Sequence, residues 1–326
     1  MKDVGIVGTP YAGKSTLFTA LTQHGSSGGR SNQAVVNVPD PRLPVLAELE
    51  RSKKIVPAKV RFVDVPGGLT AQGIAEYRQT DALCIVLRAF GSEADPAKEL
   101  ADLGADLLLA DLASVESGVE KARKRARGSQ EGAAELAVLE RAYEVLNEER
   151  LLRDANLDEA DQKVLRGFGP LTMKPWVIVA NVEEGGELPQ DLPSTAIAIS
   201  AALEAEVAGM DEGEAAELLA GFGVAEPGLS RVIAACYQTL DLITFLTTGE
   251  DETRAWEVRR GAKAPEAAGA IHSDLERGFI RSEIVGYEDL VEVGSWDGAK
   301  AQGKLRVEGK DYTVAEGDVL NIRFAV

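Results

Sequence analysis

The residues best suited to chemistry open the chain: Gly8-Thr-Pro-Tyr-Ala-Gly13-Lys14-Ser15, a G-x-x-x-x-G-K-[ST] string. Its glycines let backbone N–H groups turn inward around a chain of phosphates. Lys14 would bring a positive charge to the β and γ oxygens, and Ser15 a hydroxyl to Mg²⁺. The helix that follows would present its positive end. Gly8, Tyr11, Ala12, Gly13, Lys14, Ser15 and Thr16 are therefore candidate nucleotide contacts. A glycine-rich turn with an exposed lysine is the plainer alternative, but this string follows a short apolar strand and precedes a helix, as the chemistry requires. A second motif is Arg61-Phe-Val-Asp64-Val-Pro-Gly67. An aspartate at the tip of an apolar strand can hold the Mg²⁺ shell, and the Gly67 N–H can meet a γ-phosphate. Ser15 and Asp64 are the metal candidates, Lys14 and Gly67 the catalytic ones. A third motif, Val177-Ile-Val-Ala-Asn181-Val182-Glu183-Glu184, also ends a strand. Guanine-binding chains with this loop carry Asn-Lys-x-Asp here, the Asp taking two hydrogen bonds from guanine and the Lys stem packing on the base. Val182 stands in place of that Lys and Glu184 in place of that Asp, so guanine selectivity should be lost. ATP is the expected ligand, with GTP or dual specificity as the alternative. Ile199-Ser200-Ala201-Ala202 reads as the loop beneath the base.

These residues need a scaffold. Strands are expected at Val4–Val7, Val60–Val65, Ala82–Leu87, Trp176–Ala180 and Ala196–Ile199, separated by helical segments. That pattern predicts an α/β fold with a mostly parallel sheet and helices on both faces. Glycine and serine dominate Gly25 to Ser31, which should be mobile. Between Leu107 and Leu165 the period changes. Leu112, Val115, Val119, Ala122 and Ala126, then Leu136, Leu139, Tyr143 and Leu146, recur at heptad spacing on either side of Arg127–Gly132. This is an antiparallel helical hairpin inserted in the sheet domain. Its first helix ends in the cations Lys121, Arg123, Lys124, Arg125 and Arg127. Two readings stand: a solvated face favouring the helix C-terminus, or an RNA contact. From Asp241 onwards, strands at Leu242–Thr247, Arg254–Val258, Lys304–Val307 and Val319–Phe324, punctuated by glycine, make a small α+β domain. The expected division is 1–106 and 169–240 for the nucleotide domain, 107–168 for the hairpin and 241–326 for the C-terminal domain.

Composition narrows the classes. The 326 residues are 45% hydrophobic and 27% charged, which is globular usage. A net charge of −18 argues against indiscriminate nucleic-acid binding; any RNA contact needs a local basic patch. No apolar run is long enough for a membrane span, and Val4–Val7 is too short for a signal sequence. Two distant cysteines, Cys84 and Cys236, read as free core thiols of a reducing cytoplasm. His272-Ser-Asp274 has no second base or nucleophile beside it and reads as structural.

The motifs, taken with further strings, resemble the YchF family of Obg-like ATPases. Val38-Pro-Asp-Pro-Arg-Leu43, Asp81-Ala-Leu and Leu109–Glu116 are similar to family segments. So are Arg254-Ala-Trp256, Lys263–Gly269, Ile271–Asp274, Gly278–Arg281 and Glu308–Tyr312. The resemblance covers most of the chain. It implies a P-loop domain with an inserted hairpin, a C-terminal TGS domain of β-grasp type, preference for ATP and association with ribosomes. It implies that the backbone at Val182 contacts adenine, beside Asn181. The hairpin and TGS domain would meet the large subunit or the assembled ribosome.

This sequence also departs from the family. Tyr11 replaces an Asn that helps hold a monovalent cation in potassium-activated relatives. The first switch is short, leaving Ser26, Ser27 and Ser31 as substitutes for its Mg²⁺-binding Thr. The second switch runs quickly from Gly67-Gly68-Leu69 to Tyr77, and the segment after Arg88-Ala-Phe90 lacks the family's His. Tight binding with very slow intrinsic turnover is expected, because hydrolysis needs a placed water and charge stabilisation.

Overall fold

A computed structural model describes residues 1–24, 26–27, 32–65 and 67–325. Most of 25–31, the stretch expected to be mobile, lies outside them, as does Ser31. Chain contacts divide the protein into two compact units, 1–36 with 61–236, and 37–60 with 237–326.

The first unit is built on β1 (Lys2–Val7), α1 (Lys14–His24), β2 (Ser26–Ser27) and β3 (Gln33–Asn37). After a segment belonging to the second unit, α2 (Arg42–Glu50) and β4 (Ile55–Val56), it resumes with β5 (Lys59–Asp64), α3 (Ala71–Tyr77), β6 (Ala82–Ala89), α4 (Pro96–Ala126) and α5 (Gln130–Asn147). It closes with α6 (Glu159–Arg166), β7 (Trp176–Val182), β8 (Ile197–Ile199), α7 (Ala201–Val207), α8 (Glu212–Gly221) and α9 (Gly228–Thr239). Seven strands form one sheet in the order β2-β3-β5-β1-β6-β7-β8. β1, β6, β7 and β8 run parallel, while β2 and β3 pair antiparallel.

Successive strand residues face opposite sides, and every residue from Ala82 to Leu87 is buried. Both faces of β6 are therefore covered. Leu83, Ile85 and Leu87 pack with Tyr77, Leu103 and Leu107. Cys84 meets Cys236 of α9; contact between the thiols, with burial, pushes Cys236 well above the usual thiol range. That is the core role expected of both cysteines.

The hairpin forms as its heptads predict: Val115, Val119 and Ala122 close on Val138, Leu139, Ala142 and Leu146. Burial of each larger side chain contributes about 1.5–3 kcal/mol. Ser129 caps α5 by accepting from Gly132 N at 3.0 Å. A Cβ on Gly132 would lie 2.7 Å from the Arg125 carbonyl carbon, so the tight turn requires glycine. The first hairpin helix begins at Pro96 rather than near 107, capped by Asp95.

The second unit adds β9 (Leu242–Thr247), β10 (Thr253–Arg259), α10 (Ala264–Ile271), α11 (Ser273–Arg277), β11 (Phe279–Gly286), α12 (Tyr287–Val293), α13 (Trp296–Ala301), β12 (Arg306–Glu308) and β13 (Asp318–Phe324). Its sheet order is β12-β11-β13-β9-β10-β4, with β13 and β9 parallel at the centre. A hairpin, a helix and a last strand returning beside the first make a β-grasp arrangement.

Segment 37–60, expected within the nucleotide domain, groups here instead. The reason is local: β4 pairs parallel with β10, and Ser52 Oγ donates to Gly249 O at 2.6 Å. The strand expected at Lys304–Val307 forms at Arg306–Glu308. His272 caps α11, its Nδ1 accepting from Asp274 N at 3.1 Å, which is the structural role expected.

Candidate functional site

The phosphate loop leaves β1 and runs into α1, which packs against α7. Its glycines are required by close approach. A Cβ on Gly8 would lie 2.4 Å from Val86 O, because the loop passes over the end of β6. Gly13 has φ +94°, and a Cβ there would lie 2.1 Å from Asn181 Nδ2. Lys14 Nζ donates to Gly8 O at 2.8 Å and Thr9 O at 2.6 Å, lying back across the loop. Burial holds its ammonium below the usual lysine range, while the charges of Asp64 and Glu99 draw it back up. Burial likewise raises Asp64 above the usual carboxylate range, opposed by Lys14. The two charges thus lie in one electrostatic neighbourhood, the loop at the end of β1 and the carboxylate at the end of β5.

An open cleft of about 560 Å³ lies along this loop. Ten of the candidate residues form its walls: Tyr11, Gly13, Lys14, Ser15 and Thr16 at one end, and Asn181, Val182, Glu184, Ser200 and Ala202 at the other. Gly8, Ala12, Ala201, Asp64 and Gly67 do not. Ala12 and Ala201 are buried beneath the walls. Gly67 has φ +81° in the turn before α3, where Thr70 caps the helix by accepting from Gly73 N at 3.3 Å.

Asn181 occupies the predicted strand end, but its amide joins protein to protein. Nδ2 donates to Ala12 O at 3.0 Å and Oδ1 accepts from Ala201 N at 2.9 Å. It ties the phosphate loop to the base-side loop with Oδ1 and one of the two Nδ2 hydrogens, while the residue itself lines the cleft. Ser200 similarly caps α7 by accepting from Leu203 N at 3.3 Å.

Sequence reasoning missed two cleft residues, Phe90 and Glu183. Glu183 Oε1 accepts from Gly91 N at 3.2 Å, drawing the end of β6 towards the base side. Arg88 lies over the Phe90 ring, 5.2 Å from its centroid. Glu99, in the first turn of α4, was also missed. It accepts from Thr9 Oγ1 with one oxygen and from Arg88 N at 2.8 Å with the other, latching the phosphate loop to β6. No spacing rule links these positions; only an acid in the first turn of a helix following a strand was visible.

A hydroxyl at Ser15 and a carboxylate at Asp64 are hard oxygen donors of the kind Mg²⁺ takes beside phosphates. Asp64 fits that use, being a half-buried acid at a strand end whose charge Lys14 partly offsets. No cluster of three or more His, Cys, Asp or Glu suited to a metal occurs among the described residues.

Phosphate loop, strand-end carboxylate and parallel sheet together define a P-loop nucleotide-binding protein. Residues 3–110 match the family described as 50S ribosome-binding GTPase, and 242–325 match the C-terminal family of YchF GTPases, described as a protein of unknown function. The chain is 39% identical to the ribosome-binding ATPase YchF of Haemophilus influenzae and 38% identical to that of Bacillus subtilis, each alignment covering 99% of both chains. The structure of the Schizosaccharomyces pombe YchF GTPase superposes with a TM-score of 0.90 at 31% identity, over 99% of this chain and 97% of that one. The chain belongs to the YchF family. The aligned span of 358 positions with the Haemophilus relative exceeds the 326 residues present, so parts of that relative have no counterpart here.

Proposed function

We propose that this protein is a slow, Mg²⁺-dependent ATPase that acts as a switch on ribosomes in the cytoplasm. The observation that carries the reading is one cleft with a phosphate loop at one end and Val182 and Glu184 at the other, where guanine-binding chains have Lys and Asp. Lys14 and the loop amides hold the phosphates, Gly8 and Ala12 support them from below, and Ala201 lies beneath the base. Ser15 and Asp64 hold Mg²⁺, directly or through water; the ion when bound neutralises phosphate charge. Gly67 senses the γ-phosphate. The backbone at Val182 seats adenine, with Asn181 fixing the distance between the two ends.

The names of the relatives support the ribosome as partner, since those proteins are called ribosome-binding. Contact is made through the hairpin and through the C-terminal unit as a TGS module, to the large subunit or the assembled ribosome. The functional division is 1–106 with 169–240, 107–168 and 241–326, with 37–60 packing as part of the last of these. At the hairpin tip, Arg123 and Arg125 pair with Glu140 and Glu135. Lys121, Lys124 and Arg127 make no ion pair among the described residues and are the better rRNA contacts. No helix among the described residues is long and apolar enough to cross a membrane.

A GTPase or dual-specificity enzyme is the second reading, favoured by the Schizosaccharomyces relative being called a GTPase. A binding module that barely hydrolyses is the third, favoured by the shortened switch segments. Calorimetric titration with ATP and GTP in Mg²⁺ decides the first pair; GTP binding at least tenfold tighter than ATP rejects the ATPase reading. Phosphate release measured alongside ribosome co-sedimentation separates the third.

A further inference from the structure

Tyr11 combines two features that are unfavourable in the free protein. Its φ is +68°, in the left-handed region that glycine and asparagine tolerate and a bulky side chain does not. The other non-glycine residues with positive φ among the described residues, Arg51, Glu149 and Asp241, lie at or near the ends of helices, where such a conformation closes the last turn. Tyr11 instead lies in the middle of the phosphate loop. At 88% exposure, its ring is also the most exposed large hydrophobic side chain among the described residues. Strain of this kind persists where the surroundings impose it, and it clusters at ligand clamps. Here the imposing element is the loop itself, whose amides must turn inward. The side chain at position 11 is thereby turned out to form a wall of the cleft, which Phe90 also lines.

We infer that Tyr11 is a nucleotide-contact residue specific to this chain: its ring packs over the bound nucleoside triphosphate and shields it from water. The inference rests on the nucleotide reading of the cleft. Apolar surface left in water in the free protein is covered in the complex, so the ring favours the bound state although its backbone disfavours the free one. The same residue therefore affects free-state stability and affinity in opposite directions, which a merely structural role does not do.

Tyr11→Asn eases the backbone and removes the ring; Tyr11→Phe keeps the ring and removes only the hydroxyl. The thermal midpoint of the free protein and the dissociation constant for Mg²⁺–ATP are measured for both, with Lys14→Ala as control. The expected result for Tyr11→Asn is a midpoint equal to or a few degrees above the parent, with ATP binding about five- to tenfold weaker. Tyr11→Phe should recover the affinity to within about twofold. Nitration of Tyr11 by tetranitromethane, read by mass spectrometry, should fall severalfold when Mg²⁺–ATP saturates the protein. ATP binding by Tyr11→Asn within twofold of the parent overturns the proposal, as does nitration indifferent to ATP. If the parent binds no ATP, or Lys14→Ala binds as well as the parent, the nucleotide reading itself fails and takes this proposal with it.

Discussion

Gly13→Ala tests whether the cleft is assembled by the tie between its two ends. The added methyl meets two obstacles. At φ +94° a Cβ costs about 1–2 kcal/mol in backbone strain. At 2.1 Å from Asn181 Nδ2 it also displaces that amide, breaking the bonds to Ala12 O and Ala201 N. Each buried hydrogen bond contributes about 0.5–1.5 kcal/mol. The expected destabilisation is about 2–5 kcal/mol, a fall in midpoint of roughly 5–15 °C for a unit of this size. Asn181→Ala alone loses only the two bonds, about 1–3 kcal/mol. In the double variant there is no amide left to displace, so its cost should fall below the sum of the singles by about 1–3 kcal/mol. Urea unfolding of the four proteins closes the cycle. Simple additivity, or a Gly13→Ala variant within about 0.5 kcal/mol of the parent, would refute the claim that Asn181 couples phosphate loop to base loop.

Asp64→Asn should stabilise the free protein at neutral pH while abolishing Mg²⁺-dependent tightening of ATP binding. Because the folded-state pKa of Asp64 is raised, the folded protein takes up this proton more readily than the unfolded chain, so the site gains stability as pH falls through the raised pKa towards 3.8. The stability advantage of the variant should therefore shrink between pH 7 and 4 in parallel melts; an advantage that grows on acidification contradicts the sign. Asp111 is fully buried and accepts from Arg78 Nη1 at 2.7 Å, Thr172 N at 2.7 Å and Thr172 Oγ1 at 2.8 Å. Asp111→Ala removes the counter-charge of the Arg78 guanidinium, which keeps its bonds to Ala110 O and Gly169 O, and should cost about 3–5 kcal/mol in chemical unfolding; a loss under about 1 kcal/mol would be inconsistent with that burial. Replacing Lys121, Lys124 and Arg127 by Glu should weaken ribosome co-sedimentation severalfold and leave ATP affinity unchanged, and undiminished co-sedimentation removes the hairpin tip as an RNA contact.

The phosphate loop, the strand-end aspartate and the strand leading to Asn181 were legible because their chemistry is local. Each is a short string whose neighbours in sequence are its neighbours in space. The hairpin was legible in its period but not in its beginning. Leu103 and Leu107 pack on the sheet, whereas Leu108, Val115 and Val119 pack on α5. One continuous helix therefore serves two cores, and the change of pattern near 107 marks a change of packing partner, not a helix end. β11 was missed because a register shift between Phe279 and Arg281 breaks the two-residue alternation that announces a strand. β4 has two residues and exists only through β10, nearly two hundred positions away. The tie from Asn181 to Ala12 O and Ala201 N was not legible, because a sequence motif records which residue stands at a strand end and not which backbone groups lie within its reach.

The same distinction explains why the site is not at its stability optimum. Lys14 and Asp64 are each partly stripped of water, and each offsets the other only in part. Tyr11 adds a strained backbone to an exposed ring. These three are the residues that a triphosphate and its metal would relieve: phosphate oxygens for the ammonium, a cation for the carboxylate, a ligand surface for the ring. In a scaffold otherwise packed with buried aliphatic side chains, substitutions that stabilise the free protein should concentrate at this cleft and cost function there. Ligand should correspondingly raise the midpoint of the parent with the logarithm of its affinity, and raise it less in each variant whose free form has been improved.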